Sequence, residues 1–229
     1  IAGIDPWMYA YFGVNGLLVI GAYGMIYIIE KTFGFVSSIT LVELSNVNSG
    51  LMLELAEKAP GTFQHSLQVS TLATEAAKSI GANTLLIRAG ALYHDIGKLV
   101  DPECFTENQQ DGYNPLSELD FATAAQKVIS HVEYGMTLAQ KHHIPKIVTN
   151  FILTHHGTGK VRYFYNSWVN EHPGEPVNEA LFTYSGPRPS TKETSILMMA
   201  DAVEARSRSL GEYRSEEHTS ELQSLAYLV

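Results

Sequence analysis

The stretch "GALYHDIGKLV", residues 90–100, places His94, Asp95 and Lys98 at the end of a run that otherwise has the apolar spacing of a helix. Polar side chains in a core helix lower the stability of a fold unless other groups pair with them. The stretch therefore predicts a helical domain in which side chains from distant parts of the chain meet the His-Asp pair.

Helical periodicity continues on both sides of this stretch. It predicts a helix over 62–80 that ends at Gly81, a helix capped by Asn83 that runs to about Gly97, and helices over 120–142 and 145–156. The capping-box sequence "STKE", residues 190–193, predicts the start of a last helix. Residues 157–189 are rich in Gly, Pro and aromatics and indicate a long irregular insertion. No strand pattern stands out, so the fold class is all-α, a helical bundle with an insertion.

The composition excludes some functions. The 229 residues carry a formal charge of −9, which argues against a general nucleic-acid-binding surface, and so against a DNA or RNA duplex as partner. The single cysteine, Cys104, allows no intrachain disulfide. Seven of the nine histidines lie between His65 and His156, so they mark the central part of the chain.

The N-terminal part resembles a membrane helix. Trp7 to Ile29 is a run of 23 residues without a charge, and a membrane-spanning helix needs about 20. Trp7 and several tyrosines lie near its ends, where interfacial aromatics are common. We expect a transmembrane helix within 1–31 rather than a buried core helix. Lys31 favours a cytoplasmic exit, and 32–60 are expected to form a juxtamembrane connector.

The C-terminal part fits no element. "RSEEHTSELQS", residues 214–224, has no amphipathic period and is similar to the in-frame translation of a sequencing-library adapter. We expect 214–229 to be such an artefact rather than an ordinary polar tail, and 61–213 to be a C-terminally truncated domain.

Five histidines and two aspartates lie in or beside otherwise apolar helices. Any one of them alone is more often a satisfied core or surface residue. Together they form the mixed nitrogen and oxygen set that suits borderline transition metals. The set consists of His65, His94, Asp95, His131, His155, His156 and Asp201. Seven ligands are too many for one ion, but if Asp95 bridges two ions, positions remain for hydroxide and substrate oxygens. Two metals roughly 3.5–4 Å apart hydrolyse phosphate esters by hydroxide attack on phosphorus.

The spaced pattern H…HD…H…HH…D resembles the HD-domain phosphohydrolase superfamily in its two-metal form. The longer stretches "EKAPGTFQHSLQVSTLATEAAKSIGANTLLIRAGALYHDIGK", "FTENQ", "ILTHHGT" and "KETSILMMADAVEARSRSL" resemble the seven-transmembrane HD family of cyclic di-AMP phosphodiesterases. The resemblance covers about residues 8–210. It implies hydrolysis of cyclic di-AMP to pApA with two iron or manganese ions on the seven ligands. It also implies that 1–31 contain the last transmembrane helix, with the catalytic domain on the cytoplasmic face of the plasma membrane.

Several residues are candidate substrate contacts. Lys98 is either a cation for a substrate phosphate or a solvated lysine at a helix end, and with Asp95 it is our catalytic candidate. Thr158 follows the paired histidines and is a candidate contact. In the insertion, Arg162 and Lys160 are candidates for a phosphate, and Tyr163 and neighbouring aromatics for purine stacking, although aromatics of this kind more often pack a segment onto its domain.

Other functions remain open on the sequence. The two-metal HD class that hydrolyses cyclic di-GMP carries a GYP motif, whereas here "HHGTGKVRYFY" follows the helix and no GYP occurs. Another nucleotide phosphohydrolase and a non-catalytic, metal-bound signalling domain are the further alternatives. A one-metal nucleotidase would leave His131, His155 and His156 without a purpose. Homodimer formation also stays open.

Overall fold

The computed structural model describes residues 6–109 and 113–215, with side chains described as far as Arg208. Within these ranges the chain forms ten α-helices: α1 (Pro6–Phe33), α2 (Ser38–Leu44), α3 (Gly50–Lys58), α4 (Pro60–Ile80), α5 (Thr84–Tyr93), α6 (Phe121–Ile129), α7 (His131–Lys141), α8 (Lys146–Thr154), α9 (Arg162–Glu171) and α10 (Lys192–Ser215). Over the same ranges no β-strand forms, only an isolated bridge between Lys160 and Thr183. The predicted all-α class is confirmed. Apart from its first two residues, the predicted artefact 214–229 lies outside the described part.

The first of two compact units ends at Leu41. Its helix α1 is long and apolar enough to cross a membrane, with a mean hydropathy of 1.8 over its most apolar window and none of that window buried. Near the end of α1, the Glu30 carboxylate accepts hydrogen bonds from the backbone N–H of Ser37 and the hydroxyl of Thr40. The last polar turn of the helix is thus tied to the segment that follows it.

The second unit begins at Val42 and contains the helical bundle. Helix α4 starts with Pro60 in its first turn and ends at Gly81, which has a φ of 65° and supplies the left-handed residue that the turn needs. Asn83 then caps α5 by accepting from the backbone N–H of Leu86 at 3.0 Å. Both predicted signals are confirmed. Helix α5 packs against α4, α8 and α10.

Two glycines allow close contacts around the His-Asp pair. A Cβ on Gly90 would lie 2.4 Å from the Phe151 ring, so the backbone of α5 packs directly against this side chain of α8. A Cβ on Gly97 would lie 1.8 Å from the carbonyl oxygen of His131. The turn after Asp95 is therefore held directly against the first turn of α7.

The insertion differs from the irregular segment that the sequence predicts, because it contains α9 and a 3-10 turn at Glu179–Phe182. Its aromatics pack into a second apolar cluster, in addition to the core of the bundle. This cluster is formed by Cys104, Phe105, Leu116, Ala124, Ala125, Phe164 and Phe182. Backbone hydrogen bonds from Val161 to Phe182 and from Tyr184 to Gly159 close the base of the insertion. This closure brings Tyr184 back to the bundle.

Two helix boundaries also differ from the prediction. The segment 120–142 is divided at Ser130 into α6 and α7. The last helix is capped at Thr191, not at Ser190: Thr191 and Thr194 accept hydrogen bonds from each other's backbone N–H. Glu193 instead accepts from the backbone N–H of Asn83 at 2.9 Å, so the carboxylate of the expected capping box joins two helices.

Candidate metal centre

Three of the predicted ligands sit where a helix begins or ends, and their rings take part in those boundaries. Nδ1 of His94 lies 2.7 Å from the carbonyl oxygen of Ala91, and Nδ1 of His155 lies 2.8 Å from that of Ile152. Nδ1 of His131 lies 2.7 Å from the carbonyl oxygen of Val128. The rings of His94 and His155 thus lie over the last turns of α5 and α8. The ring of His131 spans the break between α6 and α7, where the sequence predicts one continuous helix.

These contacts also fix the orientation of the rings. A carbonyl oxygen only accepts, so in each of the three rings Nδ1 carries the proton and donates it. The Nε2 lone pair of a neutral ring is then left to face the interior of the bundle. Such an arrangement is typical of metal-binding histidines, whose other nitrogen is usually anchored by a hydrogen bond.

The Asp95 carboxylate lies among the rings with one oxygen toward each side. Oδ2 lies 3.5 Å from Nε2 of His65 and 3.4 Å from Nε2 of His94. Oδ1 lies 3.4 Å from Nε2 of His131 and 3.5 Å from Nε2 of His155. Asp95 is buried. Its two oxygens therefore join two separate sets of nitrogen ligands.

Around Asp95 the remaining candidates form two groups that could each hold an ion. The first group is His65, His94 and Asp201, and the second is His131, His155 and His156, with the ligand atoms of each group within 4.8 Å of one another. Asp201, from α10, closes the first group, with Oδ1 3.0 Å from Nε2 of His65. All seven predicted ligands thus come together. His142 and His143, which the sequence places at a helix end, are exposed at the end of α7 and take no part.

The donor set fits bound cations. Nε2 of His94 and Oδ1 of Asp95 are buried and have no hydrogen-bond partner among the described residues. Nε2 of His131 lies only 3.2 Å from Nε2 of His155, although both rings use their proton at Nδ1. Two lone pairs so close together repel unless a cation or a proton lies between them. Histidine nitrogens with carboxylate oxygens suit divalent transition metals, so the residues present fit divalent ions.

The histidines of the centre have pKa values shifted in opposite directions. Burial alone would lower the pKa of His65, but hydrogen bonds to Asp201 and Glu204, together with the Asp95 charge, raise it to about 9. Burial lowers the pKa of His131 to about 4, which the Asp95 charge only partly opposes. Burial and the neighbouring rings of His155 and His131 also hold the pKa of His156 well below its usual range. His131 and His156 are therefore neutral at pH 7, as metal binding requires.

Lys98 lies beside this centre, paired with two carboxylates. Its Nζ lies 2.9 Å from Oδ2 of Asp95 and 2.6 Å from Oε1 of Glu107. Burial would lower the pKa of Lys98, but the two carboxylates raise it above its usual value. Burial would raise the pKa of Asp95, but the Lys98 charge and the neighbouring His94 ring hold it well below its usual range. Lys98 is thus a fixed cation at the centre, not a solvated lysine at a helix end.

Glu107 is a functional candidate that the sequence reasoning missed. It belongs to the "FTENQ" stretch, and besides Lys98 its Oε1 accepts from the Thr62 hydroxyl at 3.1 Å. The neighbouring Asn108 accepts from the backbone N–H of Thr62 at 3.0 Å. This loop therefore connects the start of α4 with the turn that follows His94 and Asp95 and contains Lys98, which we call the HD turn. An acidic residue next to amides in a polar loop was the available signal.

The predicted substrate contacts lie along the insertion. Thr158 accepts from Nε of Arg188 at 3.2 Å, and both are exposed. Arg162 is exposed in the first turn of α9. Tyr163 packs against the second apolar cluster, edge-on to Phe164. The part of these side chains in substrate binding stays a prediction.

Tyr184 and Glu204 also contact the ligands and were not singled out from the sequence. The Tyr184 ring stacks on His156 with centroids 4.2 Å apart, and burial raises the pKa of its hydroxyl. Glu204 Oε2 lies 2.6 Å from Nδ1 of His65. Tyr184 had no local signal. Glu204 follows Asp201 by three residues, a spacing that places both on one face of α10.

An all-helical domain with these two facing groups of His and Asp ligands defines the class of the protein. A family model described as "HD domain" matches residues 62–206. The chain therefore belongs to the HD-domain family, and the resemblance seen in the sequence is confirmed.

The comparisons extend to particular proteins. The chain is 41% identical over 201 residues to the "Cyclic-di-AMP phosphodiesterase PgpH" of Listeria monocytogenes, covering 88% of this chain and 28% of that protein. It is 37% identical to the Bacillus subtilis protein of the same name, covering 82% of this chain and 26% of that protein. The chain thus spans about a quarter of the length of these curated relatives.

Solved structures agree with this relationship. The crystal structure of the L. monocytogenes PgpH HD domain in complex with cyclic di-AMP matches with a TM-score of 0.68 at 41% identity, covering 76% of this chain and 78% of that one. At this identity the likeness extends beyond the fold to the sequence of the domain itself.

Proposed function

We propose that this protein is a metal-dependent phosphodiesterase that hydrolyses cyclic di-AMP to the linear dinucleotide pApA. The observation that carries the proposal is the position of the Asp95 carboxylate, with one oxygen toward each of two groups of metal ligands. The substrate is supported by the PgpH relatives and by the related HD domain that binds cyclic di-AMP.

In this proposal the residues of the chain would hold two divalent ions, iron or manganese. His65, His94 and Asp201 would hold one, His131, His155 and His156 would hold the other, and Asp95 would contribute to both. When bound, the ions would activate water as a hydroxide nucleophile and neutralise charge on the phosphoryl oxygens. The protein orients the ligands through the anchored ring nitrogens, and the apolar bundle keeps bulk water away from most of them.

Lys98 has a separate task in the proposed reaction. It is 13% exposed in its side chain, so its charge is largely desolvated while one side remains open to solvent. An ammonium in such surroundings attracts a phosphate oxygen more strongly than one in water does. We infer that Lys98 contributes to substrate binding and keeps Asp95 ionised.

The insertion is proposed to contact the dinucleotide. Thr158 lies two residues after the ligand His156, and Arg188 donates to it. Arg162 and Arg188 are exposed and add positive charge to the insertion, which complements an anionic substrate. Tyr163 is the proposed partner of a purine. Charge and aromatic character support these assignments.

We also propose that the protein is anchored in the plasma membrane by α1, with the HD domain on the cytoplasmic face. The length and hydropathy of α1 support the anchor. Lys31 in its last turn supports the orientation, because cytoplasmic flanks carry an excess of basic residues.

A direct assay tests the reaction and the substrate together. The whole chain, in detergent and loaded with Mn²⁺, is incubated in parallel with cyclic di-AMP and cyclic di-GMP, and the products are separated by chromatography. We expect pApA from cyclic di-AMP and little turnover of cyclic di-GMP. Equal turnover of both dinucleotides would contradict the proposed specificity, and turnover of neither by protein that holds two ions would contradict the enzymatic proposal.

A further inference from the structure

The ring of His65 is held differently from the other rings of the centre. Its Nδ1 lies 2.6 Å from Oε2 of Glu204, a residue 139 positions further along the chain. A carboxylate only accepts, so Nδ1 of His65 is the donor. His94, His131 and His155 instead donate to carbonyls three residues earlier in their own segments. His65 alone among these four depends on a side chain from another helix.

Glu204 is itself held in place. It is 7% exposed, and Nη2 of Arg208 lies 2.6 Å from its Oε1 and 2.8 Å from its Oε2. The same guanidinium nitrogen lies 3.0 Å from Nδ1 of His65. Because Nδ1 of His65 already donates its proton to Glu204, Arg208 donates to the Glu204 carboxylate and not to the ring. Arg208, Glu204 and His65 form a chain of charge-assisted contacts, which are stronger than contacts between neutral groups.

Helix α10 therefore serves one group of ligands and not the other. It supplies Asp201 directly, and one turn later it supplies Glu204, which orients His65. The second group, His131, His155 and His156, includes no residue of α10. The two ion positions consequently differ in how their histidines are oriented. Backbone carbonyls three residues earlier orient His131 and His155, whereas a side chain from another helix orients His65.

We propose that Glu204 is a positioning residue which sets the affinity of the His65–His94–Asp201 position for a divalent ion, and thereby makes occupancy of that position depend on α10. This rests on the proposed two-ion centre. The partner of a metal-bound histidine fixes the ring and raises its basicity, and its loss typically weakens metal binding about 10- to 100-fold. The position formed by His131, His155 and His156 is expected to keep its affinity for the ion.

The test uses the whole chain in detergent, stripped of metal and titrated with Mn²⁺. Electron paramagnetic resonance separates an isolated ion from a magnetically coupled pair. For the unsubstituted protein we expect two equivalents to bind and the coupled signal to appear. For Glu204→Ala we expect one equivalent to bind at the His131–His155–His156 position as before and to give the isolated signal. Binding of the other equivalent, at the His65–His94–Asp201 position, should be weakened about 10- to 100-fold.

Two further variants complete the design. Glu204→Gln keeps an oxygen that can accept from His65 but removes the charge, so we expect a smaller loss at the same position. It carries the test if Glu204→Ala does not fold, as judged by circular dichroism. Glu193→Gln is the matched control, because Glu193 also lies in α10 and joins it to Asn83 without touching the ligands. It is expected to bind both equivalents normally.

The outcomes separate the inference from the proposed function. Unchanged binding of both equivalents by folded Glu204→Ala, or equal weakening of both, would overturn the positioning role of Glu204. An unsubstituted chain that never binds a second equivalent would instead overturn the two-ion centre itself.

Discussion

The ammonium of Lys98 lies 2.9 Å from Oδ2 of Asp95, the same oxygen that faces His65 and His94, while Oδ1 of Asp95 faces His131 and His155. One buried carboxylate thus connects a fixed cation with both groups of ligands. In the proposed two-ion centre, this relationship makes Asp95 the residue on which both ion positions depend.

Replacing Asp95 is therefore expected to affect both ions. Asp95→Ala should bind neither ion stably and should lose all hydrolysis, because a bridging ligand belongs to both coordination spheres. Metal analysis after gel filtration measures the first effect, and the cyclic di-AMP assay the second. Asp101→Ala is the control, since Asp101 pairs with Lys127 near the surface. Two ions per chain in an active Asp95→Ala protein would exclude the bridging role.

Lys98 is expected to matter for stability as well as for substrate. Lys98→Met leaves the carboxylates of Asp95 and Glu107 buried without their cation, and breaking a buried pair in this way costs about 3–5 kcal/mol. The free energy of unfolding of the metal-free chain measures the loss. Lys127→Met, which removes the cation of a half-exposed pair, should cost less than about 1 kcal/mol. Similar losses in the two variants would show that the Lys98 contacts contribute little.

Gly97 is expected to tolerate no side chain. A Cβ there would meet the carbonyl oxygen of His131 at 1.8 Å, so Gly97→Ala must push the HD turn away from α7. Overpacking of this kind costs typically about 1–3 kcal/mol, and it would also move Asp95 relative to His131. We expect a lower melting temperature and weaker metal binding. Gly50→Ala is the control, because nothing lies within 4 Å of a Cβ at that position. A normal melting temperature for Gly97→Ala would contradict the close contact.

The stability of the metal-free protein should depend on pH through His65. Its pKa is raised to about 9 in the folded chain, against about 6.5 when unfolded. A raised pKa contributes stability that is fully present below pH 6.5 and is lost as the pH rises through 9. The loss is of the order of 3 kcal/mol, since one pKa unit corresponds to about 1.4 kcal/mol.

Unfolding by denaturant in the presence of a chelator, at pH 6 and at pH 9.5, measures this dependence. The decline in the free energy of unfolding should be smaller in His65→Gln, because this variant lacks the titrating ring but keeps all other titrating groups. It should also shrink when Mn²⁺ is present, because the ion takes the place of the proton on Nε2. An identical decline in His65→Gln and the unsubstituted chain would show that His65 is not the responsible group.

Much of the fold and the ligand set follows from local sequence. Helical periodicity located α4, α5, α8 and the segment of α6 and α7, Gly81 and Asn83 marked a turn correctly, and the His and Asp residues in apolar helices predicted the seven side chains that come together. The helix and turn signals depend on neighbours in the chain, which a single sequence shows directly.

What could not be predicted depends mostly on side-chain contacts. The helix boundaries at His94 and His131 lie where each ring donates to a backbone carbonyl, and periodicity does not reveal them. Glu193 matched a capping box but pairs with Asn83, so Thr191 took the cap. Glu204 and Tyr184 reach the centre only because α10 and the closed insertion bring them there.

Titration of the metal-free chain with Mn²⁺, while the conversion of cyclic di-AMP to pApA is followed, is the most direct test of the proposed two-ion centre. If Asp95 joins two ions in one catalytic centre, hydrolysis should stay low with the first equivalent and rise as the second binds. Full activity with a single equivalent, or no pApA when two equivalents are bound, would contradict it.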